Sequence, residues 1–413
     1  MKQLLVRPLP ADDESAQGYL LRLAAANVLA NTGALHPEHL HMHDSQAKLR
    51  GPINGIKTLN RPDPGGLPVR HWNTRRPRYC PACLTESGHW RAAWSLNFCV
   101  ACPLHKVMLV DDCHRCSRPL KWHRTQVAQC ACGADLRQRE AVGAGEHAIN
   151  LACQIAAFLR EPLKAQESAR GLQLLLERAW LLGAYRLQLT TRAQKVGGLH
   201  EIARAARIVD SASRVVDDWP HSYFQFLEDV ASRYGRPGSS SIMSHFGPLY
   251  RELFRGDRHG FNSDLRDGFE AYLRTRWRGQ LARRNRRLSA DAVDAHAWVP
   301  ITAAAKAIGW SIARVRQGIA DGKIRGTVQA RPSGRMTGVV HRDELVRLQQ
   351  MEGTSLDLLS ACRALRVGKK RIHELMELGK LRPLSGPSVD GRKTWVFHRL
   401  DVEQLGEFVA SRR

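Results

Sequence analysis

Eight of the ten cysteines fall between Cys80 and Cys132, and they fall in pairs. Two thiolates a couple of residues apart can bite one tetrahedral ion from a single turn, and such clustering in a reducing compartment argues for metal over disulfides. The first group is Tyr79-Cys80-Pro81-Ala82-Cys83, then Cys99-Val100-Ala101-Cys102, then His105. Spacing alone leaves two ligand sets: Cys80, Cys83, Cys99 and Cys102, or Cys80, Cys83, Cys102 and His105. The second group is Cys113-His114-Arg115-Cys116 with Cys130-Ala131-Cys132-Gly133, four thiolates without a rival. Gly133 can take the positive-φ turn that wraps such a loop around an ion. Four protein ligands leave no position open for water, so the expected cofactors are two structural zinc ions.

Competing chemistry is weaker. His36-Pro37-Glu38 ahead of Cys80-Pro81-Ala82-Cys83 has something of the H-x-E and P-C-x-x-C of zinc deaminases, but Tyr79 rather than a proline precedes Cys80. His39, His41 and His43 alternate along the chain, read as solvated surface, and receive no role. No Gly-rich loop ending in Gly-Lys-Ser/Thr is present. No catalytic residue is nominated, and the chain is expected not to be an enzyme.

The elements that must carry these residues follow from length, charge and pattern. A chain of 413 residues fits two to four domains. Its 63 Lys and Arg stand against 39 Asp and Glu, a formal charge of +24 that points to a polyanionic partner. The apolar stretch Leu4 to Val6 is too short for a signal-peptide core and no segment reaches spanning length, so the expectation is a bacterial cytoplasmic protein with no membrane partner. Residues 146–290 read as a helical domain, with stretches at 148–163 and 171–189, breaks at Gly197-Gly198 and Pro237-Gly238, and Cys153 on a core face. A run of seven arginines, Arg274, Arg276, Arg278, Arg283, Arg284, Arg286 and Arg287, surrounds Trp277 and reads as a phosphate-seeking surface.

A repeat with a constant offset of 57 occupies the C-terminal part. Ala305-Lys306-Ala307-Ile308-Gly309, Arg314-Val315 and Gly322-Lys323-Ile324-Arg325 align with Cys362-Arg363-Ala364-Leu365-Arg366, Arg371-Ile372 and Gly379-Lys380-Leu381-Arg382. Each copy, 291–350 and 351–413, reads as helix, turn, helix, hairpin and final helix. That layout resembles a small winged helix-turn-helix of the excisionase and MerR-like type. A DNA-reading second helix would present Ser311, Arg314 and Gln317 in the first copy and Lys369, Lys370, Arg371 and His373 in the second. Arg331 and Arg335, or Arg392 and Lys393, would sit near the hairpin tips. Nucleic-acid candidates are therefore Arg276, Arg278, Arg283, Arg284, Arg314, Lys369, Lys370, Arg371, Arg392 and Lys393. The second copy, the more basic at this helix, is the better candidate; docking on protein is the competing use.

Several blocks together carry a family resemblance. Arg7-Pro8-Leu9-Pro10, Asp13-Glu14-Ser15 and Gly18-Tyr19-Leu20-Leu21-Arg22-Leu23-Ala24 resemble the opening of TniQ (TnsD-like) proteins. Here the acids and Ser15 would cap a helix whose leucines are buried. More specific are Tyr79 to Leu84, Arg91, Trp94, Cys102-Pro103-Leu104-His105, Leu109, Cys113 to Cys116 and Cys130 to Gly133, which resemble the family's double zinc module. Asp218-Trp219-Pro220 with Phe224, Phe226 and Leu227 resembles a recurrent helix start. The resemblance favours Cys102 with His105 at the first site and makes Cys99 a bystander.

The fold expected is mainly α: an N-terminal domain over 1–145 with two zinc modules within 80–133, a helical middle, and tandem winged repeats. The resemblance implies a transposon-encoded adaptor, acting as a homodimer, that recruits an ATPase regulator and a transposase to a target site. That site would be read by the adaptor itself or by a CRISPR guide-RNA effector complex on which it docks. A zinc-containing helix-turn-helix transcription regulator is the alternative from another class.

Overall fold

The computed structural model describes residues 4–35, 67–160, 166–189, 195–236, 239, 241–254, 262–281, 285–330, 333–389 and 392–410. The sequence candidates His36, Glu38, His39, His41, His43, Pro237, Gly238, Arg283, Arg284 and Arg331 lie outside the described residues. The protein is mainly helical and divides into two units, residues 1–233 with 247–269, and residues 234–246 with 270–413. No helix among the described residues is long and apolar enough to cross a membrane.

The first helix, α1 (Ala16–Ala26), starts where Ser15 turns extended and its hydroxyl accepts the Gly18 N–H at 3.0 Å. Leu20, Leu21, Leu23 and Ala24 are buried, as the apolar spacing predicts. The acids beside Ser15 do not cap, contrary to expectation. Glu14 is wholly buried and takes Arg22 at 2.5 Å, while Asp13 reaches the His89 ring at 2.6 Å and the Arg91 guanidinium. With Ser15 already at the helix start, three basic side chains, Arg22, His89 and Arg91, hold these carboxylates in place of the helix N–H groups.

Beyond α2 (Pro81–Ser87), helices α3 (Glu146–Arg160), α4 (Gln166–Arg186), α5 (Ile202–Val216) and α6 (His221–Tyr234) follow, then α7 (Ile242–Leu253) and α8 (Ser263–Thr275). Helices α4 and α5 pack closely because Gly183 has no side chain: a Cβ there would lie 2.3 Å from the Ile208 carbonyl oxygen. Helix α6 begins directly after Pro220 and buries Phe224, Phe226 and Leu227. The core role expected for Cys153 is corrected. Ala152 and Ile155 form the buried side of α3, and Cys153, one residue and a hundred degrees round the helix from Ala152, is exposed.

After α9 (Ala290–Asp294) come two copies of one layout. The first is β1 (Trp298–Pro300), α10 (Ile301–Ile308), α11 (Ile312–Ala320), β2 (Gly326–Ala330), β3 (Met336–His341) and α12 (Arg342–Gly353). The second is β4 (Ser355–Asp357), α13 (Leu358–Leu365), α14 (Lys369–Glu377), β5 (Pro383–Ser385), β6 (Val396–His398) and α15 (Arg399–Ala410). All three helix pairs and the leading strands keep the offset of 57, as in Ile301 to Leu358 and Arg342 to Arg399. Both sheets are antiparallel with the last strand central, β1-β3-β2 and β4-β6-β5. The leading strands are what sequence reading missed, since three residues are too few to show a period of two.

Each copy has its own apolar core. Ile301, Ala304, Ala305, Ile308, Val315, Ile324, Val340, Leu345 and Leu348 form the first. Ala361, Leu365, Ile372, Leu375, Leu381, Phe397 and Val402 form the second, with Cys362 packed against it in the place of Ala305.

Candidate metal centres and nucleic-acid interface

The first cluster is built from a helix start and a knuckle. Cys80 is the residue before α2, Pro81 opens that helix, and Cys83 lies in its first turn, so both thiols face one point. Tyr79 exchanges two 2.9 Å backbone hydrogen bonds with Val110, which brings the 102–110 segment alongside. There the Cys102 N–H donates to the Val107 carbonyl at 2.8 Å, the Lys106 N–H donates back to the Cys102 carbonyl at 2.9 Å, and Lys106 takes φ 55. The turn so closed directs His105 Nδ1 to within 3.5 Å of Cys80 Sγ, 3.2 Å of Cys83 Sγ and 3.6 Å of Cys102 Sγ.

The second cluster uses the same knuckle. The Cys113 N–H donates to Arg118 at 3.1 Å, the Ser117 N–H donates to Cys113 at 2.8 Å, and Ser117 takes φ 55. On the other side Gly133 has φ 83 and its N–H donates to the Cys130 carbonyl at 2.9 Å. The sulfurs of Cys113 and Cys132 lie 3.7 Å apart and those of Cys116 and Cys130 3.9 Å.

Within each set, Cys80, Cys83, Cys102 and His105, or Cys113, Cys116, Cys130 and Cys132, all four donor atoms lie within 4.8 Å of one another. A tetrahedral ion with metal–sulfur bonds of about 2.3 Å requires sulfur–sulfur separations of roughly 3.8 Å. Both sets fit that geometry. Cys99 stands apart: it is wholly buried, its thiol faces the Ala101 carbonyl, and burial pushes its pKa up to about 12. The open choice at the first site therefore falls to His105.

Within each cluster one thiol is favoured as thiolate at the expense of its neighbours. Hydrogen bonds from Cys80 and Cys83 draw the Cys102 thiol far below its ordinary pKa and the same contacts push Cys80 and Cys83 up, while the Ala134 N–H draws Cys132 down to about 7 and burial pushes Cys130 up to about 12. His105 Nε2 lies 2.8 Å from the Glu86 carboxylate, which fixes the tautomer that leaves Nδ1 toward the sulfurs. Sequence reading did not single out Glu86, although its position six residues after Cys80 is where α2 brings it back.

Two buried arginines, also missed, hold the region together. Arg78 is 1% exposed, and its guanidinium donates to the carbonyls of Leu96 (3.3 Å), Asn97 (2.7 Å), Cys99 (3.2 Å) and Leu199 (2.7 Å). Arg124 lies 4.4 Å over the Trp90 ring and donates to the carbonyls of Lys121, Gln126 and Val127. Burial pulls both guanidinium pKa values down to about 10. Trp90 itself meets Tyr79, Trp94 and Trp122 at centroid distances of 5.6, 6.0 and 5.3 Å.

The basic candidates divide into three situations. Arg276 and Arg278 are exposed, but Trp277 between them is buried against His245 and Phe246 at 4.9 and 5.2 Å, a core residue and not a stacking platform. Arg314 lies 3.4 Å over the Trp310 ring and 3.6 Å from Glu352, and Arg392 lies 3.7 Å from the same carboxylate oxygen; Lys393 is exposed. Lys369, Lys370 and Arg371 are exposed at the first three positions of α14, above the buried Ile372 and Leu375, with Arg371 paired to Glu374 at 2.7 Å.

Residues 5–109 match the TniQ family model. All four ligands of the first cluster fall inside that span and the second cluster lies beyond it. A search of curated proteins returns no match to the chain.

Proposed function

We propose that this chain, which carries a TniQ domain over residues 5–109, is a target-selection adaptor in transposition. In this reading the N-terminal module is stapled by two structural zinc ions, and the C-terminal copies are winged helix-turn-helix repeats, the second of which contacts DNA. The TniQ match is the observation that carries the transposition-associated role. The donor sets support zinc: three thiolates with one imidazole, and four thiolates, are its usual structural ligands. When bound, the metal serves as a cross-link in place of an apolar core, and the chain's own groups supply no open position for a reacting water.

Support for DNA contact comes from α14. Lys369, Lys370 and Arg371 occupy the turn where the helix dipole disfavours cations. Arg371 is answered by Glu374, but Lys369 and Lys370 stand exposed at this helix start, where a phosphate would offset the unfavourable dipole. The domain boundaries that go with this reading are 1–145, 146–290, 291–350 and 351–413. The partners are target DNA, an ATPase regulator and a transposase, with the chain acting as a homodimer in a bacterial cytoplasm.

The test is binding of the full chain to its element's insertion-site DNA and to scrambled DNA of equal length across a salt titration. A preference of about a thousand-fold or more at physiological salt is the specific range for DNA readers. That result supports reading by the chain itself. Equal, salt-labile binding to both would transfer the reading to a guide-RNA effector complex, and no binding to either would remove the DNA role.

A further inference from the structure

The two repeats are joined without a linker. Helix α12 ends at Gly353 and β4 begins at Ser355, and the residue between them serves both copies. The Thr354 N–H donates to the Gln350 carbonyl at 3.0 Å, and the Thr354 carbonyl accepts the Arg399 N–H at 2.7 Å. Beside this joint a cleft of about 650 Å³ separates α11 of the first copy from the hairpin of β5 and β6 in the second. Arg314 and Gln317 stand on the α11 side, Leu384 and Arg392 on the hairpin side.

Glu352, in the last turn of α12, spans the two sides. Its Oε1 accepts the Trp310 indole N–H and lies 3.6 Å from Arg314 of the first copy and 3.7 Å from Arg392 of the second. Arg314 also lies 3.4 Å over the Trp310 ring. The offset of 57 shows what is particular to this junction. The counterpart of Arg314 is Arg371, and that of Arg392 is Arg335. The side chains of Arg314 and Arg392 are 28% and 24% exposed, whereas that of Arg371 is 58% exposed and Arg335 stands at the surface. Ahead of α14 the place of Trp310 is taken by Val367. One member of each arginine pair is thus drawn into the contact between the copies, and the other faces outward.

We propose that the face of α11 bearing Arg314 and Gln317 is the seat of the second repeat's hairpin and not a DNA-reading surface, with Glu352 as the clamp that holds the two copies as one body. A reading helix lies inside a major groove about 12 Å wide and 8.5 Å deep, with the groove walls rising on both sides of it. The cleft in front of α11 has the volume of a cube about 9 Å on a side, so a duplex cannot straddle that helix while the copies keep this arrangement. The second helix left to enter a groove is α14. This consequence rests on the DNA-binding reading; the clamp itself does not.

Hydrogen exchange of the full-length protein tests the clamp, and duplex binding across a salt series tests its consequence, with thermal melts as the folding control. Arg392→Ala, outside both apolar cores, changes only the second copy. It is expected to speed amide exchange in residues 312–320 of the first copy about three-fold or more, within the range of coupling between side chains in contact. Glu352→Ala should do the same there and in residues 396–398. An effect of Arg392→Ala confined to the second copy would overturn the clamp. Arg314→Ala is expected to keep the wild-type salt slope, while Lys370→Ala lowers it by about one, the loss of one neutralised phosphate. An equal drop in slope for Arg314→Ala would put α11 on DNA and overturn the proposal. If the wild-type chain binds no duplex, the DNA-binding reading fails, and the exchange result alone decides the clamp.

Discussion

The segment from Tyr79 to Leu136 and the C-terminal repeats are of similar modest size but hold together by different means. In the first, regular structure is short: α2, a 3-10 turn at Ala92–Ser95 and isolated bridges. Its interior combines aromatic rings and leucines with two buried arginines answered by carbonyls and two clusters of possible metal donors. In the repeats, each copy of about sixty residues closes an aliphatic core under a three-stranded sheet. In the proposed reading, metal–ligand bonds add to hydrophobic burial in a segment with little regular structure, so that the cysteines serve folding and the surface of the repeats serves binding.

Removing metal from the full chain is expected to have the largest effect. With a tight chelator, amide protection across 67–145 collapses while that of 298–410 persists, which hydrogen exchange would read; equal loss in both segments would erase the contrast. Within the metal segment the two clusters differ as well, since Cys80, Cys83 and Cys102 are wholly buried and Cys132 is exposed. Cys102→Ser should therefore cost upwards of about 4 kcal/mol in denaturant unfolding, the range that marks loss of a structural metal, and Cys132→Ser should cost less. The reverse order would show that the outer cluster carries the fold.

In the repeats, the triple alanine change at Lys369, Lys370 and Arg371 should lower DNA affinity at least ten-fold and flatten the salt slope by about two to three, with bound metal content unchanged. A loss of metal would tie the two segments together and break the comparison. Glu86→Gln should weaken metal affinity at the first cluster about ten-fold, read by competition with a chromophoric chelator, with no effect on the second.

The smallest effect concerns Asp13. Burial works against its charge, but the hydrogen bond from His89 and the charge of Arg91 outweigh it and hold the carboxyl below its usual pKa. His89 is raised, because its bond to Asp13 outweighs its own burial. Asp13's contribution to stability is full above its unfolded value of about 3.9 and lost as pH falls through the lower folded one. That of His89 is full below about 6.5 and lost as pH rises through its higher folded value. Asp13→Asn should thus flatten the stability maximum between about pH 4 and 6.5; an unchanged profile would show that the pair contributes nothing.

What could be read from the sequence was local. Cys113 to Cys116, Cys130 to Cys132 and the offset of 57 rest on spacings within one turn or one repeat, and the structure keeps them. The choice of His105 over Cys99 was not fixed by spacing, because it depends on the left-handed turn at Lys106 that directs the imidazole inward. Arg78 could not be recognised as a buried staple, since one of its carbonyl partners is Leu199, far along the chain. Arg314 likewise reads as a free base in sequence, and only the fold sets it beside Glu352 and Arg392. Asp13 was misread as a cap for the same reason, since His89 and Arg91 come from far along the chain, whereas Glu14 is drawn off by Arg22 of the very helix it precedes.

The division of labour between the two segments is tested most directly by measuring DNA affinity of the full chain before and after metal removal, at one salt concentration. The account predicts that affinity stays within about three-fold while the metal segment loses its structure, because the phosphate contacts that set affinity lie in the repeats. A loss of DNA binding in step with loss of metal would contradict it, and would place the DNA contact in the cysteine-bearing segment.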